Sequence, residues 1–188
     1  ATLKKFENAD TAVDLTGQIR QTGQKANTII MELLTLASLR SQEIEPAPLK
    51  MQAVINEAVK RDGFLIEQTN GRIELPESWP AALGHGPWVE EVWVNLISNA
   101  LRYGGKPPLV QVGGEELPGG MARFWIRDNG EGIQPEDQAK LFKDFTRLNG
   151  SRSSGHGLGL AIVRRIVEKM GGLVGVISSR LTGEACEF

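Results

Sequence analysis

The sequence predicts an α+β fold, a two-layer sandwich of a mixed sheet with helices on one face, preceded by a long dimerisation-type helix. Three observations lead there. Residues 11–43 carry a seven-residue apolar repeat without a proline. Short runs of alternating apolar residues recur through the second half of the chain. Helical patterns fall among those runs without the strict strand–helix alternation of a parallel α/β fold.

In the first segment Ala12, Ile19, Ala26 and Leu33 recur every seven residues, as do Leu15, Thr22, Ile29 and Leu36. That is an a/d seam, widened by Ile30 and Ala37, and it predicts pairing with other helices. Thr11 with Asp14 three residues on suits a capping box. Pro46 and Pro48 stop the helix and form a hinge, because proline removes a backbone donor and restricts the residue before it. The expected division is therefore a helix over 1–45 and a folded domain over 49–188. In that domain Leu49–Arg61 reads as a helix, and Phe64–Glu67 and Arg72–Leu75 as short strands around an Asn70–Gly71 turn. Glu90–Tyr103 reads as a helix, Leu109–Val112 and Met121–Arg127 as a hairpin, and Leu158–Met170 as a helix ended by Gly171–Gly172. Leu173–Ser178 and Ala185–Phe188 supply the last strands.

Bulk properties narrow the function. With 188 residues, 40% hydrophobic and 23% charged, the composition is that of a soluble globular domain plus an accessory element. A net charge of −2 supplies no electrostatic drive toward nucleic acid or an anionic membrane. Cys186 is the single cysteine, which excludes a disulfide framework and a thiolate cluster and suits a cytoplasmic, reducing setting. No apolar run reaches the roughly 18–20 residues of a membrane span. The chain starts at Ala1 and stops at Phe188 on a strand-like segment, so both ends read as cut, with an anchor or input domain expected outside.

Three segments carry chemistry. On the Glu90–Tyr103 helix, Asn95 and Asn99 are four apart and share a face, beside a core stripe of Val89, Val92, Leu96 and Ala100. An amide oxygen is a hard neutral ligand, and Mg²⁺ takes one or two protein oxygens alongside waters and phosphates. Two amides that cap loops or pair with each other are the structural alternative. In RFWIRDNGEGI, Ala122, Phe124, Ile126 and Asp128 fall on one side of a strand. A core-side carboxylate needs a donor, and an adenine amine is one, whereas guanine presents a carbonyl there. Gly130 and Gly132 permit a tight turn and close approach. Asp-Asn-Gly also suits a plain Asx turn. The third segment, SRSSGHGLGL over 151–160, places Gly155, Gly157 and Gly159 before a helix, where free backbone N–H groups and the helix dipole favour phosphate. The Gly/Ser/Arg stretch from Asn149 reads as a lid.

In order and spacing these segments resemble the nucleotide-binding fold shared by gyrase, the heat-shock chaperone ATPases, histidine kinases and MutL, most closely the sensor histidine kinases. EVWVNLISNALRYG at 91–104 resembles their N box, DNGEGI at 128–133 the first glycine box, LFKDFTRL at 141–148 the F box and GHGLGL at 155–160 the second glycine box. The likeness covers about residues 49–188 and extends more weakly to the first helix, whose continuation is similar to the junction after the family's second dimerisation helix.

The resemblance implies ATP and Mg²⁺ as cofactors. Asn99 would be the metal ligand and Asn95 its neighbour near the phosphates. Asp128 would bind the adenine amine and Tyr103 would line the base pocket. Arg102, where the family often has lysine, would face the phosphates. Phe142 and Phe145 would lie beneath the lid, and Arg147 would reach the γ-phosphate on closure. Gly130 and Gly132 would shape the base-side turn, with Gly155, Gly157, Leu158 and Gly159 forming the phosphate-facing turn. Asn95 stands where the ATP-hydrolysing relatives have a glutamate that activates water. An amide cannot act as a base, so the site would hold ATP for a protein acceptor.

One departure matters. The family phosphorylates a histidine on its first dimerisation helix, and this chain has only His85 and His156, neither in such a setting. His85 reads as a turn residue and His156 as part of the lid. The reading is therefore the ATP-binding portion of a protein-histidine kinase, unable to phosphorylate itself alone. In the intact protein it would act as a homodimer through the N-terminal helix and signal to a response-regulator receiver domain, with no nucleic-acid or membrane contact by this piece. A serine-directed kinase of the same fold and a non-catalytic nucleotide-sensing dimerisation module are the alternatives.

Overall fold

Periodic burial builds most of the elements. The computed structural model describes residues 19, 22–23, 26–27, 29–39, 43–143, 157–179 and 184–187. The chain divides into two compact units, Ala1–Arg40 and Ser41–Phe188. In the first, residues 29–39 form helix α1. Thr35 Oγ1 donates to the Met31 carbonyl at 2.9 Å, the local bond by which a hydroxyl is accommodated inside a helix. Ile30, Met31, Leu33 and Leu34 are exposed, while Leu39 is buried.

The second unit opens with β1 (Ala47–Pro48) and α2 (Met51–Arg61). Met51, Ile55 and Ala58, spaced four and three apart, are the buried face of α2. The stretch read as a strand at Phe64–Glu67 is helix α3 (Gly63–Thr69), closed by Asn70 in the left-handed region at φ 52°. Three adjacent apolar residues fit either period; here Leu65 and Ile66 are half-buried while Phe64 is 78% exposed, and Thr69 Oγ1 donates to the Leu65 carbonyl at 2.8 Å. Asn70–Gly71 is thus a helix end and not a hairpin turn.

β2 (Arg72–Glu74) pairs in parallel with β4 (Leu109–Leu117), and β3 (Leu83–Gly84) pairs antiparallel with β1. Helix α4 (Gly86–Tyr103) starts earlier than its apolar pattern suggests, since Pro87 sits in its first turn, where a missing N–H costs nothing. β5 (Met121–Asp128) pairs antiparallel with β4 along its whole length, Val110 opposite Asp128 and Leu117 opposite Met121. The hairpin is longer than its apolar stretch, because Gly113 and Gly114 also belong to β4. At Gly113 the indole of the opposing Trp125 occupies the space a Cβ would need.

A short α5 (Pro135–Gln138) follows, then α6 (Gly159–Lys169), β6 (Ile177–Ser179) and β7 (Glu184–Glu187). The five-stranded sheet runs β2-β4-β5-β7-β6 and is mixed. Helix α4 packs on β4 and β5 and lies between α2 and α6. Val110, Val112 and Ile126 face it from the sheet, and Ile55, Ile97, Ile162 and Ile166 complete a core in which all five isoleucines are fully enclosed. This is the expected α+β sandwich of a mixed sheet with helices on one face. It leaves α4, with its two asparagines, at the centre of the helical layer.

Candidate nucleotide site

Helix α4 organises the site. Its buried stripe of Trp88, Val89, Val92, Trp93, Leu96, Ile97, Ala100 and Leu101 fixes its rotation, which leaves Asn95 and Asn99 half-buried at the margin of the core. The Asn95 amide nitrogen donates to the Glu91 carbonyl at 2.9 Å and lies 3.4 Å from the Glu91 carboxylate. Its Oδ1 faces the start of α6, where a Cβ on Gly159 would come within 2.5 Å of it. The lack of a side chain at Gly159 lets the start of α6 pack closely on Asn95. The Asn99 side chain makes no hydrogen bond among the described residues, so the two amides do not pair with each other.

The end of β5 meets the C-terminal end of the same helix. Asp128 is buried at 5% exposure, and its Oδ1 accepts the Gly130 N–H at 2.8 Å. The Asx turn that Asp-Asn-Gly favours is therefore present, and it fixes the carboxylate's orientation. A Cβ on Gly130 would stand 2.6 Å from the Tyr103 carbonyl, so the turn is wedged against the last residue of α4. Gly132, at φ 74°, and Gly157, at φ 76°, occupy the left-handed region that glycine enters without strain. Leu158, at 1% exposure, plugs the core just before α6 and anchors the glycine segment from below.

Three sequence segments far apart in the chain thus gather on one helix, Gly159 against its middle and Gly130 against its end. Tyr103 is 47% exposed and Arg102 is exposed on the last turn of α4; Phe142 is half-buried. Arg147, Gly155, Phe145 and His156 lie outside the described residues. His85 precedes α4 as its N-cap residue with its ring edge-on to Trp88 at 5.0 Å, in keeping with a turn residue.

Three contributors escape a reading of the sequence. Asn129, inside DNGEGI, accepts from the Gly105 and Leu109 N–H groups at 2.9 and 2.8 Å and donates to the Pro107 carbonyl at 3.2 Å, stapling the loop after α4 to the Asp128 turn. Arg61, at the end of α2, grips Glu90 at 3.1 Å and Glu91 at 3.0 Å. Burial acts to lower its pKa, but the two carboxylates outweigh that and hold it above the usual arginine value. Asp62 follows, with Oδ2 buried and without a hydrogen-bond partner. Burial pushes its carboxyl up to about 6, against the pull of Arg102 and Arg61 and with help from Glu91. A shallow cavity of about 300 Å³ beside Trp125, Gln111 and Glu74 touches none of these groups.

Comparison with known proteins gives this geometry a context. Residues 84–188 match the family described as histidine kinase-, DNA gyrase B- and HSP90-like ATPase. The chain is 30% identical over 182 residues to the methanogenesis regulatory histidine kinase FilI of Methanothrix harundinacea, covering 94% of this chain and 20% of that protein. It is 33% identical over 181 residues to the C4-dicarboxylate transport sensor protein DctB of Rhizobium meliloti, covering 94% and 27%. It therefore spans about a fifth to a quarter of these relatives. Among solved structures, full-length ShkA in complex with AMPPNP superposes with a TM-score of 0.75 at 26% identity, over 90% of this chain and 36% of that one. The mycobacterial sensor histidine kinase MprB gives 0.65 at 26% identity, over 75% and 93%.

Proposed function

This chain belongs to the histidine kinase-, DNA gyrase B- and HSP90-like ATPase family as the ATP-binding catalytic domain of a sensor histidine kinase, and from that premise we propose that it holds Mg-ATP for transfer of the γ-phosphoryl to a histidine on a dimerisation domain, for relay to a receiver-domain aspartate. The observation that carries the proposal is the gathering of Asn95, Asn99, the Asp128 turn and the Gly159 helix start on α4. A similar structure holds AMPPNP, which supports nucleotide as the ligand.

The residues suit that ligand. Asp128 is an acceptor-only group held by the Gly130 N–H, and it would take the adenine exocyclic amine. Tyr103 would cover the base. Asn99, half-buried with no side-chain hydrogen bond among the described residues, would offer the magnesium an oxygen, and the Asn95 Oδ1 faces the start of α6. Backbone N–H groups around Gly157, Leu158 and Gly159 would receive phosphate at the α6 N-terminus. Arg102, Arg147 and Gly155 are proposed as further phosphate contacts. Magnesium, when bound, neutralises charge between the phosphates. No carboxylate stands at position 95 to activate water, so the domain keeps ATP intact and contributes by positioning and charge.

We further propose that residues 1–45 pair with a second copy in the intact protein and that this chain alone does not label itself. The test uses radiolabelled ATP with the chain alone and then with a histidine-bearing dimerisation domain added in trans. The expected result is no label alone and acid-labile label on the added partner. Acid-stable label would point to a serine-directed kinase, and stable label on the chain itself would overturn the reading.

A further inference from the structure

The Asn95 amide has two faces that ask for opposite ligands. Its oxygen accepts and so meets a cation or a water bound to one; its NH₂ donates and so meets a phosphate oxygen. A free amide rotates between the two. Here the NH₂ is taken by Glu91, through the backbone carbonyl at 2.9 Å and the carboxylate at 3.4 Å, so the oxygen is turned toward Gly159. The Glu91 carboxylate does not stand freely. Arg61 Nη2 holds its Oε2 at 3.0 Å, while Nη1 of the same guanidinium holds Glu90 at 3.1 Å. A planar fork that grips two neighbouring carboxylates in this way is a preorganised clamp, and lysine cannot reproduce it.

We propose that Arg61 is a positioning residue for the magnesium of the bound nucleotide: by clamping Glu90 and Glu91 it fixes the carboxylate that helps hold the Asn95 NH₂, and so commits the Asn95 oxygen to the cation side. The inference rests on the Mg-ATP reading above and adds a residue from α2, about thirty positions before the two carboxylates it grips.

The experiment measures nucleotide affinity of the full chain by calorimetry, once with excess Mg²⁺ and once with EDTA, for wild type, Arg61→Ala, Arg61→Lys, Glu91→Gln and Glu91→Leu. Thermal melts without nucleotide accompany each variant. Groups that orient a metal ligand typically change metal affinity by about 10–100-fold. Arg61→Ala should lose about tenfold of the gain that Mg²⁺ confers, with a metal-free affinity within about threefold of wild type. Arg61→Lys should recover part of that gain. Glu91→Gln keeps an acceptor for Asn95 but loses the charge-assisted grip, so the gain should fall in the order wild type, Glu91→Gln, Glu91→Leu. That ordering decides the matter even if Arg61→Ala unfolds. A magnesium gain unaltered in the Arg61 and Glu91 variants overturns the proposal, as does an equal loss with and without metal, which would mark the clamp as merely structural or electrostatic. Absence of any magnesium gain in wild type would instead bring down the Mg-ATP reading itself.

Discussion

Replacing Asp62 with asparagine should stabilise the Ser41–Phe188 unit at neutral pH and leave it almost unchanged near pH 4. Asp62 occupies the turn between α2 and α3, where it caps neither helix with its side chain and leaves Oδ2 buried without a hydrogen bond. Burial raises its pKa from 3.8 to about 6, even though Arg102 and Arg61 pull the other way. The folded state therefore resists the ionised form. A raised carboxyl pKa means stability that is fully present below about 3.8 and is lost as pH climbs through about 6. The rise corresponds to about 3 kcal/mol at most. Because the group keeps some contact with solvent, screening reduces this to about 1–2 kcal/mol.

Asparagine has nearly the same shape and cannot ionise, so it mimics the protonated form at every pH. The assay is urea unfolding followed by tryptophan fluorescence at pH 4.5, 6 and 7.5. All four tryptophans, Trp79, Trp88, Trp93 and Trp125, lie in the Ser41–Phe188 unit and report on it. The difference between variant and wild type should grow to about 1–2 kcal/mol at pH 7.5, a shift of a few degrees in Tm for a chain of this size. Every other group titrates alike in both proteins, so the difference isolates Asp62. A difference that stays constant with pH, or a variant less stable at pH 7.5, would refute the reasoning.

Further expectations follow from single contacts. Asn129→Ala removes three hydrogen bonds to the Gly105–Leu109 loop and should cost about 2–3 kcal/mol in denaturant unfolding, with hydrogen exchange rising at Gly105 and Leu109. Gly159→Ala places a methyl 2.5 Å from the Asn95 oxygen and should lower both Tm and nucleotide affinity; adding Asn95→Ala should restore Tm but not affinity, in a double-mutant cycle with coupling above about 0.5 kcal/mol. Ile97→Ala, in a side chain with 0% exposure on the buried face of α4, should destabilise by about 2–5 kcal/mol in the same urea assay.

Much of the fold was legible because burial imposes periods. The three- and four-residue spacing of Val89, Val92, Leu96 and Ala100 fixed which face of α4 turns inward, and with it the margin on which Asn95 and Asn99 lie. Alternation along β5 put Asp128 on the buried side, where it is found. What failed was read from too few residues. Phe64, Leu65 and Ile66 suit a strand or a helix equally, and packing against α4 decided for the helix. The length of β4 was hidden because Gly113 and Gly114 have poor strand propensity. Trp125 on the opposite strand is what makes Gly113 a suitable neighbour. The link from Arg61 to Glu90 and Glu91 joins positions about thirty residues apart, and no local pattern announces it.

The glycines show how a correct motif can carry an incomplete reason. In sequence, GHGLGL suggests residues kept small so that a phosphate can approach. Gly157, at φ 76°, fits a turn of that kind. Gly159 answers to a different demand, since the atom a side chain would strike is the oxygen of Asn95. The N-box helix and the glycine segment therefore constrain each other before any nucleotide arrives. Gly130 does the same at the other end, held against the Tyr103 carbonyl while its N–H orients Asp128. Small residues at both places let two loops close on one helix, and the orientation of Asn95 and of Asp128 is already fixed by neighbouring groups. Preorganisation of this sort lowers the ordering cost of binding a flexible, highly charged ligand. It also explains why the three segments, each unremarkable alone, are informative only as a set.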